Sequence, residues 1–276
     1  MKLNIPSDGT KIGHDGEKLV VPNNPIIPYI IGDGIGIDVT PVMKRVLDYA
    51  VNKAYGNSRE IKWLELYAGS NSEELYGSIL PEETIEAMKE YRISIKGPLT
   101  TPIGKGHKSI NVRIRQKLDL FACVRPIKYF PGTSTPMAES GLTDMVVFRE
   151  NTEDLYSGIE WEPNSPGAKR IIDFINKELG CSPFRFENNC GIGIKPVSEE
   201  GTKRLIRMAI DYSLAMNKSS ITIVHKGNIM KYTEGAFRDW AYDVVTNEYN
   251  GIIQKDNTYI IENSEFNSEI IVKDCI

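Results

Sequence analysis

A chain of 276 residues is long enough to bury two hydrophobic cores, and its charged (25%) and hydrophobic (41%) fractions are those of ordinary globular protein. A net charge of −4 without any basic tract argues against a nucleic-acid partner. Four cysteines without CxxC spacing and three scattered histidines give no zinc pattern, and there is neither a signal pattern nor a membrane-length apolar run, so no membrane partner is expected and the protein reads as soluble and cytoplasmic.

Residues 1–25 are polar and rich in glycine and proline, and read as an extended arm. Ile26–Ile31 is a strand that ends in Gly32-Asp33-Gly34-Ile35-Gly36. This turn fails the dinucleotide fingerprint, because Ile37 and Val39 stand where G-x-G-x-x-G needs its third glycine. Thr40-Pro41 opens a helix whose apolar face is Val42, Val46, Ala50 and Ala54, with Gly56 at its end. A second helix starts at Leu80-Pro81-Glu82-Glu83, and Arg92–Ile95 reads as a strand. The rhythm of strand and helix indicates an α/β sheet.

The segment from Lys96 to Arg115 is the first that suggests chemistry. Two prolines and three glycines make its middle a shaped loop. Ile110, Ile114 and Leu118 then mark one buried helical stripe. Ser109 falls at the N-cap, and Asn111 and Arg115 share a face one turn apart. Free N–H groups, a hydroxyl, an amide and a guanidinium at one helix start suit a small polyanion, although a capped helix with solvated charges has the same pattern.

Two apolar runs, Leu120–Val124 and Met145–Phe148, lead into Arg125 and Arg149, which places cations at strand ends. A surface ion pair is the ordinary fate of one such arginine; three of them with Ser109 and Asn111 fit a ligand carrying several carboxylates. Tyr156 follows in a polar stretch and is a candidate general acid. Further elements are a helix over 169–179, a strand over 190–195, a long helix capped by Ser198, a strand over 221–224 and a helix from Thr233. Lys226, at the end of strand 221–224, acts as a base only if desolvation or a neighbouring cation lowers its pKa. A terminal β segment runs from Glu269 to Ile276.

Five blocks carry a resemblance: Gly32–Gly36, Lys96–Arg115, Phe148–Tyr156, Gly191–Pro196 and Val224–Lys231. In order and length they resemble the prokaryotic NADP-dependent isocitrate dehydrogenases, members of the β-decarboxylating dehydrogenases, whose dinucleotide site is not a Rossmann fold. The implied fold is α/β and isocitrate/isopropylmalate dehydrogenase-like. Residues 1–120 would form the N-terminal part of an incomplete large, cofactor-side domain. Residues 121–153 and 199–276 would form a small domain, and 154–198 an intersubunit clasp. The implied activity is oxidation and decarboxylation of isocitrate to 2-oxoglutarate in the tricarboxylic acid cycle, at the branch to the glyoxylate bypass, with NADP and Mg2+ or Mn2+ as cofactors.

By the same resemblance Ser109, Asn111, Arg115, Arg125 and Arg149 bind isocitrate, and Thr100, with Thr101 beside it, meets the nicotinamide cofactor. Tyr156 protonates the enolate. Lys226 serves the proton transfer at the hydroxyl, reaching the site from the partner subunit of a homodimer. Ser109 matches a serine phosphorylated in enteric members, which implies a kinase/phosphatase partner, although Lys105, His107 and Lys108 make the loop more basic than the family's. The family's metal-binding aspartates and its adenosine and 2′-phosphate contacts fall beyond Ile276, so the chain is expected to be a C-terminally truncated fragment, inactive alone and silent on NADP versus NAD. The rival readings are an isopropylmalate or homoisocitrate dehydrogenase and a non-catalytic truncated dimerisation subunit. Polar Ser109 and Asn111 speak against an isopropyl substrate.

Overall fold

In the computed structural model, residues 3–16, 18–100, 109–180 and 184–276 are described. They divide into two compact units, Met1–Asp119 and Leu120–Ile276.

The first unit opens with a short antiparallel pair, β1 (Gly13–His14) and β2 (Leu19–Val20). β3 (Ile26–Ile30), α1 (Gly36–Tyr55), β4 (Lys62–Leu66), α2 (Ser70–Tyr76), α3 (Glu82–Tyr91), β5 (Ile95–Lys96) and α4 (Ile110–Lys117) follow. The three later strands form a parallel sheet in the order β4-β3-β5. Such a sheet is covered on its faces, and all five residues of β3 are buried accordingly. Ile30, Leu64, Leu66, Ile85, Tyr91, Ile110 and Ile114 belong to one core, so the helix stripe that begins at Ile110 packs where its spacing predicts.

Four details differ from the sequence reading. The N-terminal arm is partly tied down: Thr10 bridges to Pro25 and Ile12 is buried. α1 starts four residues before Thr40, because backbone turns at Asp33–Val39 supply its first bonds and the Thr40 hydroxyl donates to Ile31 O at 2.7 Å. Its expected apolar face is outside, with Val42 55% and Val46 60% exposed. The inner stripe runs instead through Thr40, Met43, Lys44, Leu47 and Val51, and the Lys44 ammonium lies 3.9 Å from the Tyr29 ring centroid. Finally, Arg92 ends α3 with φ 67°, which leaves only Ile95–Lys96 extended.

The second unit contains β6 (Ala122–Lys128), β7 (Asp144–Glu150), β8 (Ile159–Trp161), α5 (Pro166–Lys177), β9 (Ile192–Ile194), α6 (Glu199–Ala215), β10 (Ser220–Val224), α7 (Glu234–Asn247), β11 (Ile252–Ile253), β12 (Tyr259–Asn263) and β13 (Ser268–Cys275). β6 and β7 form an antiparallel ribbon, as do β8 and β9. A four-stranded sheet runs β10-β13-β12-β11, with β10 and β13 parallel. α6 and α7 cover it through Ile206, Ile210, Ala241, Val244 and Val245 against Ile223, Ile261, Ile270 and Val272. Ser198 caps α6, its Oγ accepting from Gly201 N–H at 3.0 Å. The β11–β12 hairpin escaped the sequence reading.

Candidate functional site

The glycine-rich turn after β3 is a packing device. A methyl group at Gly97 would overlap the Ile31 carbonyl, and one at Gly32 (φ 93°) would meet the Pro98 carbonyl, so the loop after β5 lies directly on the turn after β3. Asp33 fastens this contact. Its two carboxylate oxygens accept from Ser70 N–H at 2.9 Å and Thr100 N–H at 2.8 Å, and its own N–H donates to Pro98 O at 2.7 Å. Thr100 is thereby fixed through its backbone, with an exposed side chain. Thr101 lies outside the described residues, as do Lys105, His107 and Lys108.

Ser109 occupies the N-cap of α4 with extended backbone angles (φ −50°, ψ 130°) and no side-chain capping bond. Among the described residues, Asn111 Oδ1 is buried without a hydrogen-bond partner. An unsatisfied buried acceptor is costly. Lys96, which the sequence reading passed over, adds a second cation. Burial, then the neighbouring Arg115, push its pKa below the ordinary lysine value, with Asp33 opposing. Although the residue as a whole is exposed, its ammonium folds back onto Gly97 O at 2.6 Å.

In the second unit Arg149 is the centre. Its Nη1 donates to Tyr156 Oη at 2.8 Å and its Nη2 to Asn151 Oδ1 at 3.1 Å, and its guanidinium stacks 4.5 Å from the Tyr156 ring centroid. Nε is buried and unpartnered among the described residues. Asn151, itself buried, donates onward to Leu120 O at 3.0 Å. Glu150 and Glu153 hold the following turn: Glu150 accepts from Thr152 and Glu153 N–H, and Glu153 from Ser198 N–H at 2.8 Å. Arg204 joins the turn as well, donating to Thr152 Oγ1 at 2.9 Å and lying over the Phe121 ring.

Arg125 is not at a strand end. β6 continues through Arg125 and Pro126 to Lys128, because an open two-stranded ribbon tolerates a proline that cannot donate. The register sets Arg125 opposite Val147 and Cys123 opposite Arg149, so the two arginines share one face of the ribbon as diagonal neighbours.

Lys226 follows His225 at the end of β10, with an exposed side chain. Its backbone is held firmly: Lys226 N–H donates to Glu234 Oε2 at 2.9 Å, and Lys226 O accepts from Ile229 and Met230 N–H.

A cavity of about 540 Å³ lies between β7 and β10 beside α6. Its lining includes Met145, Val147, Ile206 and Ala209, which makes it unsuited to a polyanion. A smaller one of about 200 Å³ is lined by Arg149, Tyr156, Asp154 and Glu234 among others, and is the better match to the chemistry.

A family model described as isocitrate/isopropylmalate dehydrogenase matches residues 26–265. This chain belongs to that family. It is 53% identical over 278 residues to isocitrate dehydrogenase (NADP) 1 of Colwellia maris and 49% identical over 279 residues to isocitrate dehydrogenase (NADP) of Pseudomonas aeruginosa, covering 100% of itself and 67% of each relative. The chain thus spans about two thirds of the length of these relatives. The crystal structure of isocitrate dehydrogenase from Methylococcus capsulatus superposes with a TM-score of 0.66 at 31% identity, over 91% of this chain and 60% of the other. The α/β class read from the sequence agrees with these family members.

Among the described residues no group of three His, Cys, Asp or Glu side chains is placed to hold an ion. Nor does any helix among them have the length and hydropathy to cross a membrane.

Proposed function

We propose that this chain carries the substrate-recognition and proton-transfer groups of an NADP-dependent isocitrate dehydrogenase that works as a cytoplasmic homodimer. The identity of about half the residues to NADP isocitrate dehydrogenases over the whole chain carries this reading. The Arg149–Tyr156 arrangement supports it physically.

The start of α4 offers Ser109, Asn111 and Arg115, and separately the β6–β7 ribbon offers Arg125 and Arg149, as groups suited to the carboxylates and hydroxyl of isocitrate. A guanidinium grips a carboxylate through two parallel charge-assisted bonds, each about 1.5–3 kcal/mol. NADP, when bound, accepts hydride from the hydroxyl carbon. Lys226, contributed to the partner subunit's site, manages the hydroxyl proton. Tyr156 gives a proton to the enolate carbon left after CO2 departs, and the Arg149 guanidinium, donating to its hydroxyl at 2.8 Å, holds that hydroxyl in place. Phosphorylation of Ser109 would add about two negative charges at the helix start and repel the substrate carboxylates.

Titration calorimetry with isocitrate, in competition with isopropylmalate, tests the reading. Isocitrate is expected to bind, and Arg149→Lys to weaken it. Preference for isopropylmalate would move the chain to the other branch of its family, and no binding of either would refute the proposal.

A further inference from the structure

Lys195 lies in the Gly191–Pro196 block, which the sequence marked without giving it a task. Its side chain is 21% exposed, and its ammonium pairs with Glu234 at close range and with Asp154 Oδ1 at 3.3 Å. Burial works to lower its pKa, but Glu234 and Asp154 outweigh burial and hold it above the ordinary lysine value. The ammonium is therefore charged at any physiological pH.

The two carboxylates belong to two different functional turns. Asp154 begins the short 3-10 turn Asp154–Ser157 that presents Tyr156. It holds a left-handed conformation there (φ 57°), uncommon for a residue with a side chain, and its N–H donates to Pro196 O at 2.9 Å, beside Lys195. Glu234 begins α7, and its second oxygen accepts the Lys226 N–H. Without the ammonium, two carboxylates would face each other across the cavity that Arg149 and Tyr156 also line.

We propose that Lys195 is a positioning residue whose ammonium ties the turn carrying Tyr156 to the turn carrying Lys226. The proposal rests on the reading of these two side chains as the proton-transfer pair. Under that reading Lys226 serves the partner subunit's site, so the bridge makes the proton donor of one site and the lysine of the other move as one body.

Hydrogen exchange read by mass spectrometry on the full chain tests this. Lys195→Met keeps the stem and removes the charge. It is expected to speed exchange several-fold in both 153–158 and 226–235 while β13 and α6 keep their protection, and Lys195→Arg is expected to restore both segments. Asp154→Asn cuts one arm only, so it is expected to loosen 153–158 alone, and it keeps the test available if Lys195→Met does not fold. Unchanged exchange in either turn of Lys195→Met, or loosening of both turns by Asp154→Asn, would overturn the bridge. Isocitrate titration of the unmodified protein judges the functional reading separately: failure to bind refutes that reading and leaves the exchange result to decide the bridge.

Discussion

Asp274 accepts a hydrogen bond from the buried His225 ring, with Nε2 and Oδ2 3.0 Å apart, while the other ring nitrogen accepts from Gly227 N–H at 3.0 Å. The second bond assigns the proton to Nε2, so strand β13 holds the residues on both sides of Lys226 through one imidazole. Tyr242 donates to the remaining Asp274 oxygen at 2.7 Å.

An acid-limb prediction follows from this triad. His225, then Tyr242, hold the Asp274 carboxyl below the ordinary carboxylate value against the opposing effect of burial. Burial raises the Glu234 carboxyl, yet Lys195 and the Lys226 N–H outweigh it and leave that carboxyl low as well. A depressed folded pKa gives stability that is present above the unfolded value, near pH 4, and lost as pH falls through the folded one. The second unit is thus expected to weaken progressively below about pH 4. Asp274→Asn offers one acceptor where two donors point, costs about 1–2 kcal/mol at neutral pH and flattens that limb. Urea midpoints across the acid range check it, and an unchanged limb in the variant would remove Asp274 as its cause.

Asp33 and Gly69 are coupled in the first unit. A methyl at Gly69 would run into the Asp33 carboxylate, and Gly69 also holds φ 87°. Asp33→Ala strands the Ser70 and Thr100 N–H groups and is expected to cost about 1–3 kcal/mol. Gly69→Ala is expected to be destabilising too, but by less in the Asp33→Ala background, where the overlap is gone. Denaturant melts of the four proteins form the cycle, and strict additivity would show that the contact carries no energy.

The parts of this molecule that the sequence made legible are those fixed by local physics. The stripe Ile110–Ile114 and the Ser198 cap both depend on a few adjacent residues, and the structure shows both. α1 was read with the wrong face inward, because Val42 and Val46 lie on one side and Met43, Leu47 and Val51 on another. Periodicity offers two stripes there, and only the position of Tyr29 and Trp63 selects between them. Lys195, Glu234, Asn151 and Arg204 were missed for a related reason. Each acts through a partner distant in sequence, such as Glu234 for Lys195, and spacing along a chain does not encode such pairs.

Exposed and buried positions of the first unit therefore respond differently to substitution. Val46→Gln, on the exposed side, is expected to change stability by no more than about 0.5 kcal/mol. Leu64→Ala, in the fully buried centre of β4, is expected to cost about 2–5 kcal/mol. Thermal or denaturant unfolding separates them, and a large loss in Val46→Gln would mean that another surface covers that face in solution.

Ser109 is the residue at which charge should act as a switch. It stands at the first turn of α4, one residue before the buried Ile110, with Asn111 and Arg115 on the same helix and the Lys96 ammonium near Arg115. A negative charge at an N-cap is itself favourable, worth about 0.3–1 kcal/mol through the helix dipole. Ser109→Glu is therefore expected to fold as well as the unmodified chain. Under the proposed reading the same charge would take the place of a substrate carboxylate, so isocitrate affinity is expected to fall by roughly tenfold or more. Calorimetric titration beside a thermal melt reads both quantities at once. Equal isocitrate affinity in Ser109→Glu and the unmodified protein would remove Ser109 from the binding surface, and a lowered melting temperature would mean that its hydroxyl serves the fold instead.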